Sequence, residues 1–214
     1  MDTDIERWKT AQTAEASHRS HGSHESSFPD VLSQYGITPK TLEGKNVLAV
    51  GAGTGIIHGL EIQCNNVAVD PLTSAFSDVL EESTGELITA IGENLPFEDD
   101  SFDIVINRNV LDHTVQPGTV LDEIRRVLRP GGKFIFNVNT FRIPRIIRKR
   151  LSYIDTPHPH HFSPSEIQTM LVTHGFEIEQ QRVEKMNLNL SDPTIKRIIA
   201  VTVFRIRKVR IIST

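Results

Sequence analysis

Apolar positions recur in two alternating rhythms along most of the chain. Short runs of Val, Ile, Leu and Phe bounded by Gly, Asn, Asp or Pro predict buried strands over residues 46–50, 66–69, 87–91, 102–107 and 133–139. Between them, a 3.6-residue period predicts helices over residues 54–62 and 72–82. A third helix opens on Pro117 and sets Val120, Leu121, Ile124, Val127 and Leu128 on one face. The run RPGGK is expected to close it. Ser163, Pro164 and Glu166 have the spacing of an N-cap, a first-turn proline and a capping-box partner, so a later helix runs through His174 until Gly175 stops it. Repeated strand–helix units predict an α/β fold, a mostly parallel sheet with helices on both faces. Residues 176–183 and 198–206 differ, being two strand-like runs with no long helix between them, and predict a closing antiparallel pair.

Polar residues prevail only near the start, where residues 12–27 are rich in Ser, His and Glu. Residues 1–27 are therefore expected to form a flexible arm and residues 28–214 a single domain, since 214 residues suit one substantial core. His18, His21 and His24 recur every third position and could bind a metal on a helix, although Gly22 and the nearby serines favour a solvated leader. Trp8 could anchor such an arm over a bound ligand. A net charge of -4 and an aromatic content of 6% disfavour nucleic acid as a partner, and no apolar run is long enough for a membrane span. Cys64 is the only cysteine, so no disulfide or cysteine metal cage can form within the chain. With acidic residues in MDTDIERWKT where a signal peptide would be basic, the expected location is cytoplasmic.

The first strand ends in VLAVGAGTG, three glycines in five residues. Such a turn leaves no side chain between backbone and ligand, and the amides of a following helix can bind a phosphate or a carboxylate. A phosphate loop ending in Gly-Lys-Ser/Thr is absent, and Ile56 stands where a dinucleotide fingerprint has its third glycine. The glycines alone also fit a purely structural turn. Asp70 ends the second strand nineteen residues after Gly51, where a carboxylate can accept from both hydroxyls of a ribose; it can equally be a turn residue before Pro71.

The ordered motifs VLAVGAGTG, VAVD, IGENLPFEDDSFDIVINRNVLDH, VLRPGGKF, HHFSPSEIQTML and THGF resemble those of the class I, seven-stranded, Rossmann-like S-adenosylmethionine-dependent methyltransferases, in particular their small-molecule, type-11 branch. The resemblance runs from about Leu42 to the end. It implies a three-layer α/β/α sandwich with seven strands, and S-adenosylmethionine as the cofactor. It assigns Gly51, Gly53 and Gly55 to the methionine part, Asp70 with Pro71 to the ribose, Glu93, Asn94 and Leu95 to the adenine edge, and Asn107 with Asn109 to the methyl-donor end. One position departs: many relatives carry an aspartate where this chain has Ile91.

An electrophilic sulfonium methyl needs an aligned nucleophile and no metal, and a proton acceptor helps when the acceptor is protonated. His113 and His161 are the candidates for base or acceptor-orienting group, although each could instead serve only local packing. His158, His160 and His161 could alternatively ligate a metal, and Asp112 and Asp155 are candidate carboxylate helpers. The segment 141–162 is a candidate substrate cap. Its basic run FRIPRIIRKR suits an acidic acceptor or a lipid-like one at a membrane surface, and equally a solvated amphipathic helix. The expected activity is methyl transfer to oxygen, nitrogen or carbon of a small molecule. A catalytically inactive nucleoside-binding or assembly protein is the alternative, and an NAD-linked oxidoreductase the third reading.

Overall fold

Leu48, Val50, Val105 and Phe134 are almost wholly withdrawn from solvent, and so are Val47, Ala49, Ile104 and Ile106, which point the other way from the same strands. Such two-sided burial is the mark of a parallel sheet covered on both faces, and it follows from continuous apolar runs in place of alternation. The computed structural model describes residues 38–51, 64–73, 86–141, 143–151 and 158–185, the backbone of 203–212, and Glu6, Trp8, Lys9, Gln12 and Thr13. Its elements are α1 (Pro39–Leu42), β1 (Asn46–Val50), β2 (Asn65–Val69), β3 (Glu86–Ile88), β4 (Phe102–Arg108), a 3-10 turn (Leu111–His113), α2 (Pro117–Val127), β5 (Leu128–Phe141), α3 (Arg145–Leu151), α4 (Pro164–Thr173), β6 (Glu177–Lys185) and β7 (Val203–Ile212).

The strands lie in the order β3-β2-β1-β4-β5-β7-β6. All pairings among the first five are parallel, and β7 runs antiparallel to both β5 and β6. After β1 the chain builds outward through β2 to β3, then returns to place β4 on the other flank of β1. The order reverses between β1 and β4, and the crevice at their carboxyl ends is where this architecture binds ligands.

Both capped helices form as expected. Pro117 occupies the first turn of α2, whose Val120, Leu121, Ile124 and Val127 are buried. Ser163 Oγ accepts from the Glu166 amide, and the Glu166 side chain reaches back to the Ser163 amide at 2.9 Å. Gly175 then turns with φ +81, closing α4. α2 and α4 share one core with Phe134, Phe136, Val138 and Phe176 on the same face of the sheet. Each such side chain, fully buried, contributes roughly 1.5–3 kcal/mol.

Three boundaries differ from expectation. β3 stops at Ile88, and Ile91 instead forms an isolated bridge with Asn94, because β2 offers pairing partners only from Val67 to Val69. RPGGK is not a loop after α2: Leu128 pairs with Phe102 at once, and residues 129–132 bulge out before Lys133 meets Ile104, with Gly131 at φ +73. The last strand runs on to Ile212, past the expected end at residue 206, so its RIRKVR portion lies inside the sheet; residues 198–202 of the expected run lie outside the described residues. Its extent follows its partner, since β5 pairs with it from Phe141↔Val203 to Lys133↔Ile212, with one register shift between Phe136 and Asn137.

Almost all of the two helices expected at 54–62 and 72–82 lies outside the described residues, as do His18, His21 and His24. Of the arm, Gln12 and Thr13 are helical, Thr13 Oγ1 donates to the Lys9 carbonyl at 2.9 Å, and Trp8 is half-buried.

An ionic clamp fastens α2 to the loop after β3. Arg126 donates from Nε and Nη2 to the two Glu123 oxygens, each at 2.8 Å, and also to the carbonyls of Phe97 (2.7 Å) and Leu95 (3.0 Å). Glu123 Oε2 in turn accepts from the Leu95 amide at 2.8 Å. Arg126 above all, then the Leu95 amide, holds the Glu123 carboxyl below the usual carboxylate range. A lowered carboxyl stabilises the fold above its unfolded value of about 4.3 and loses that contribution as pH falls through the folded value. Glu123→Gln is therefore expected to lower stability at pH 7 by ~1–3 kcal/mol and to flatten the acid limb of a melting-temperature profile between about pH 5 and 3. Parallel profiles for the variant and the parent would contradict the clamp.

Candidate functional site

Gly51 turns the chain off β1 with φ +69 and donates its amide to the Val69 carbonyl at 2.8 Å. A Cβ built there would lie 2.4 Å from Val110 Cγ2, so only glycine lets the segment after β4 close against the end of β1. Gly53, Gly55 and Ile56 lie outside the described residues. On the neighbouring strand end Asp70 is 3% exposed; its amide donates to the Ile88 carbonyl at 3.2 Å and its Oδ1 accepts from the Leu72 amide at 2.8 Å. Asp70 thus closes the turn through Pro71 and sits beside Gly51 as well.

The loop at residues 91–95 folds over the same crevice. A Cβ at Gly92 would touch Val50 at 3.3 Å and Val120 at 3.1 Å. Glu93 is half-buried, and its Oε1 accepts from the amides of Val115 (2.8 Å) and Gln116 (3.1 Å) at the entry to α2. Asn94 and Ile91 are exposed. Leu95 is in the core, with its amide and carbonyl held by the Glu123–Arg126 clamp.

Beyond Gly51, the carboxyl ends of β4 and β5 each carry Asn-x-Asn. Asn107 is fully buried and its Nδ2 donates to the Val50 carbonyl at 3.4 Å. Asn109 takes φ +53, a conformation asparagine tolerates, and donates its amide to the Asn137 carbonyl at 2.8 Å. The buried Oδ1 atoms of Asn107, Asn109, Asn137 and Asn139 have no hydrogen-bond partner among the described residues. An unsatisfied buried acceptor costs roughly 1–3 kcal/mol, so several at one strand-end crevice point to groups that meet a ligand. Asn137 and Asn139 escaped the reading of the sequence, although the repeat of NRN and NVN at two strand ends was there to be seen.

The expected catalytic histidines come to the same side. The 3-10 turn buries Asp112 (1% exposed) and His113 (7% exposed). His158 packs against His113 with ring centroids 4.4 Å apart and the rings tilted by 50°. His160 donates its amide to the Asp112 carbonyl at 3.2 Å, and its Nε2 lies 2.8 Å from the Thr114 carbonyl. The end of β5 holds the other side of this segment through the Phe141 amide and Phe162 carbonyl (2.8 Å), with His161 packed 5.0 Å from the Phe141 ring. Burial pushes the Asp112 carboxyl up, and His113, His158 and His161 pull it down. The three histidines expected as a metal set are separated: His160 is committed to Thr114, and the ligating atoms that converge belong to Asp112, His113 and His158. Asp155 lies outside the described residues.

In the basic segment, Arg148 is 5% exposed and donates to Glu166 Oε1 at 2.5 Å, so it anchors α3 to α4. Arg145, Lys149 and Arg150 remain exposed, and Ile146 and Ile147 face solvent beside them. Among the described residues no helix is long and apolar enough to cross a membrane.

The parallel α/β sheet, the glycine turn at the strand-order reversal and the acidic residue ending β2 define a class I, Rossmann-like methyltransferase fold. Residues 48–136 match the family model described as "Methyltransferase domain", and the chain has the class I, Rossmann-like methyltransferase fold. An uncharacterized methyltransferase of Mycolicibacterium vanbaalenii is 32% identical over 112 residues, 50% of this chain and 44% of that protein. The chain thus matches under half the length of that relative. The YcgJ protein of Bacillus subtilis superposes with a TM-score of 0.63 at 19% identity, over 86% of this chain and 99% of that one. The [4+2]-cyclase SpnF gives 0.69 at 14% identity, over 90% and 85%. At such identities these two structures share the fold alone.

Gly51→Ala is expected to destabilise the protein by about 1–3 kcal/mol through left-handed strain and the clash with Val110. Adding Val110→Ala should recover the steric part and leave the backbone part. A melting temperature unchanged in the single variant would contradict the close approach of these segments.

Proposed function

We propose that this chain transfers the methyl group of S-adenosylmethionine to an oxygen, nitrogen or carbon of a small-molecule acceptor. The observation that carries the reading is the adjacency of Gly51 and Asp70 at the reversal of strand order, with a histidine–carboxylate cluster following β4. In this reading the backbone of Gly51, Gly53 and Gly55 cradles the amino-acid end of the donor, and the second oxygen of Asp70, with Pro71 beneath, takes the ribose diol. The loop of Glu93, Asn94 and Leu95 borders adenine. Because Glu93 Oε1 is engaged with Val115 and Gln116, that loop supplies shape and backbone before carboxylate charge. Asn107 and Asn109 frame the sulfonium, where buried amide oxygens suit a cation.

The acceptor's lone pair attacks the methyl carbon in line as the carbon–sulfur bond breaks, and the sulfonium leaves as a neutral thioether. A proton lost from an oxygen or nitrogen acceptor passes to an imidazole, His161 or His113, positioned from opposite segments around Asp112. The segment 141–162 caps the acceptor, with Arg145, Lys149 and Arg150 on its outer side suited to an acidic or lipid-like substrate. Ile91 at the adenine edge favours a second reading, in which a donor-type nucleoside binds without turnover.

Titration calorimetry should show saturable binding of S-adenosylmethionine, weakened ~10-fold or more in Asp70→Ala. Under transfer of a labelled methyl to an acceptor panel, His161→Ala should lower kcat by ~100-fold or more and leave donor affinity unchanged. Donor binding without turnover across the panel supports the second reading, and absence of saturable heat in the parent protein defeats both.

A further inference from the structure

Asp112, His113 and His158 each direct one ligating atom into a common space, with all three atoms within 4.8 Å of one another. The Asp112–His113 pair is already at 3.9 Å, from Oδ1 to Nε2. Ligand atoms around a tetrahedral zinc ion stand about 3.4 Å apart, so modest side-chain rotation would complete the geometry. Asp112 Oδ1 is buried and accepts no hydrogen bond among the described residues, and the carboxyl as a whole is 1% exposed. The groups placed against this enclosed carboxyl are imidazoles, whose ring nitrogens can ligate a cation together with it.

The cluster is also held in place. His160 ties the segment carrying His158 to the turn carrying Asp112 and His113, through the Asp112 and Thr114 carbonyls. These ties through backbone carbonyls keep the two ligand-bearing segments against each other.

We propose that Asp112, His113 and His158 bind one borderline divalent cation, zinc or a first-row neighbour. Two imidazoles and a carboxylate suit such an ion, and three protein ligands leave a position open. In combination with the methyl-transfer reading, on which this last step rests, the open position takes the acceptor's heteroatom. The metal–heteroatom bond forms as the heteroatom–hydrogen bond breaks, and the proton goes to His161, which stays outside the ligand set.

The test is titration of the full chain, stripped of metal by chelator, with Co(II), read by visible absorption and followed by competition with Zn(II). The expected result is one equivalent bound with d–d bands of a four- or five-coordinate site, displaced by zinc. Asp112→Asn and His158→Ala should each weaken binding at least ~10-fold. His174→Ala, which removes a surface imidazole 2.6 Å from Asp122, should change nothing. Circular dichroism and calorimetry with S-adenosylmethionine on the same samples establish that the variants fold. No saturable cobalt binding, or binding that survives His158→Ala unchanged, overturns the metal site even where the donor binds. Metal binding without donor binding leaves the site standing and defeats the methyl-transfer reading.

Discussion

The contact between Gly51 and the Val110 side chain sets the geometry of the crevice. β1 and β4 are neighbours in the sheet but distant in sequence, and the chain leaves both at the same edge. The segments that follow can pass each other only if one carries no side chain at the crossing. With glycine there, the two strand ends close together while their apolar side chains stay buried on both faces. The end of β4 and the residues that follow it, from Asn107 to His113, are thereby brought level with Asp70 and the loop at residues 91–95.

What fastens the surrounding segments is a set of polar staples. The Glu123–Arg126 clamp and the Glu93 carboxylate both connect the loop after β3 to α2, so that α2 fixes a crevice wall without entering the crevice. On the other side Arg148 and Glu166 join α3 to α4, and the capping box of α4 uses the same glutamate. Glu166 therefore serves two structural roles at once. Hydrogen bonds to charged groups contribute about 1.5–3 kcal/mol each when partly buried, more than exposed ion pairs such as Glu6 with Lys9.

Against this rigid frame stand groups that the protein alone leaves unsatisfied. The amide oxygens at the ends of β4 and β5 and one oxygen of Asp112 are buried without hydrogen-bond partners among the described residues. All of them accept, and all belong to the segments that meet at the strand ends or follow β4 directly. Buried acceptors of this kind suit cations and N–H or O–H donors, a common requirement of a sulfonium donor, a protonated acceptor and a divalent metal. The SpnF likeness shows why such local chemistry, and not the fold, must decide the reaction.

The helices α2 and α4, with their prolines, capping residues and apolar faces, were legible in the chain because each signal is satisfied within a turn or two of helix. The same holds for β1 and β4, whose apolar runs are long enough to mark buried parallel strands, and for the pairing of a glycine turn with an acidic residue after β2. Tertiary structure decided the rest. Asp112, to outward appearance an ordinary turn residue, becomes a buried carboxylate because the segment with His158 and His160 folds onto it. Arg148 turns inward because Glu166 awaits it, Leu95 becomes core because α2 clamps its backbone, and β7 takes its register from the length of β5. Periodicity and capping are local free-energy terms, written in neighbouring residues. Desolvation of a polar group depends on which distant segment closes over it, and no window of sequence contains that segment.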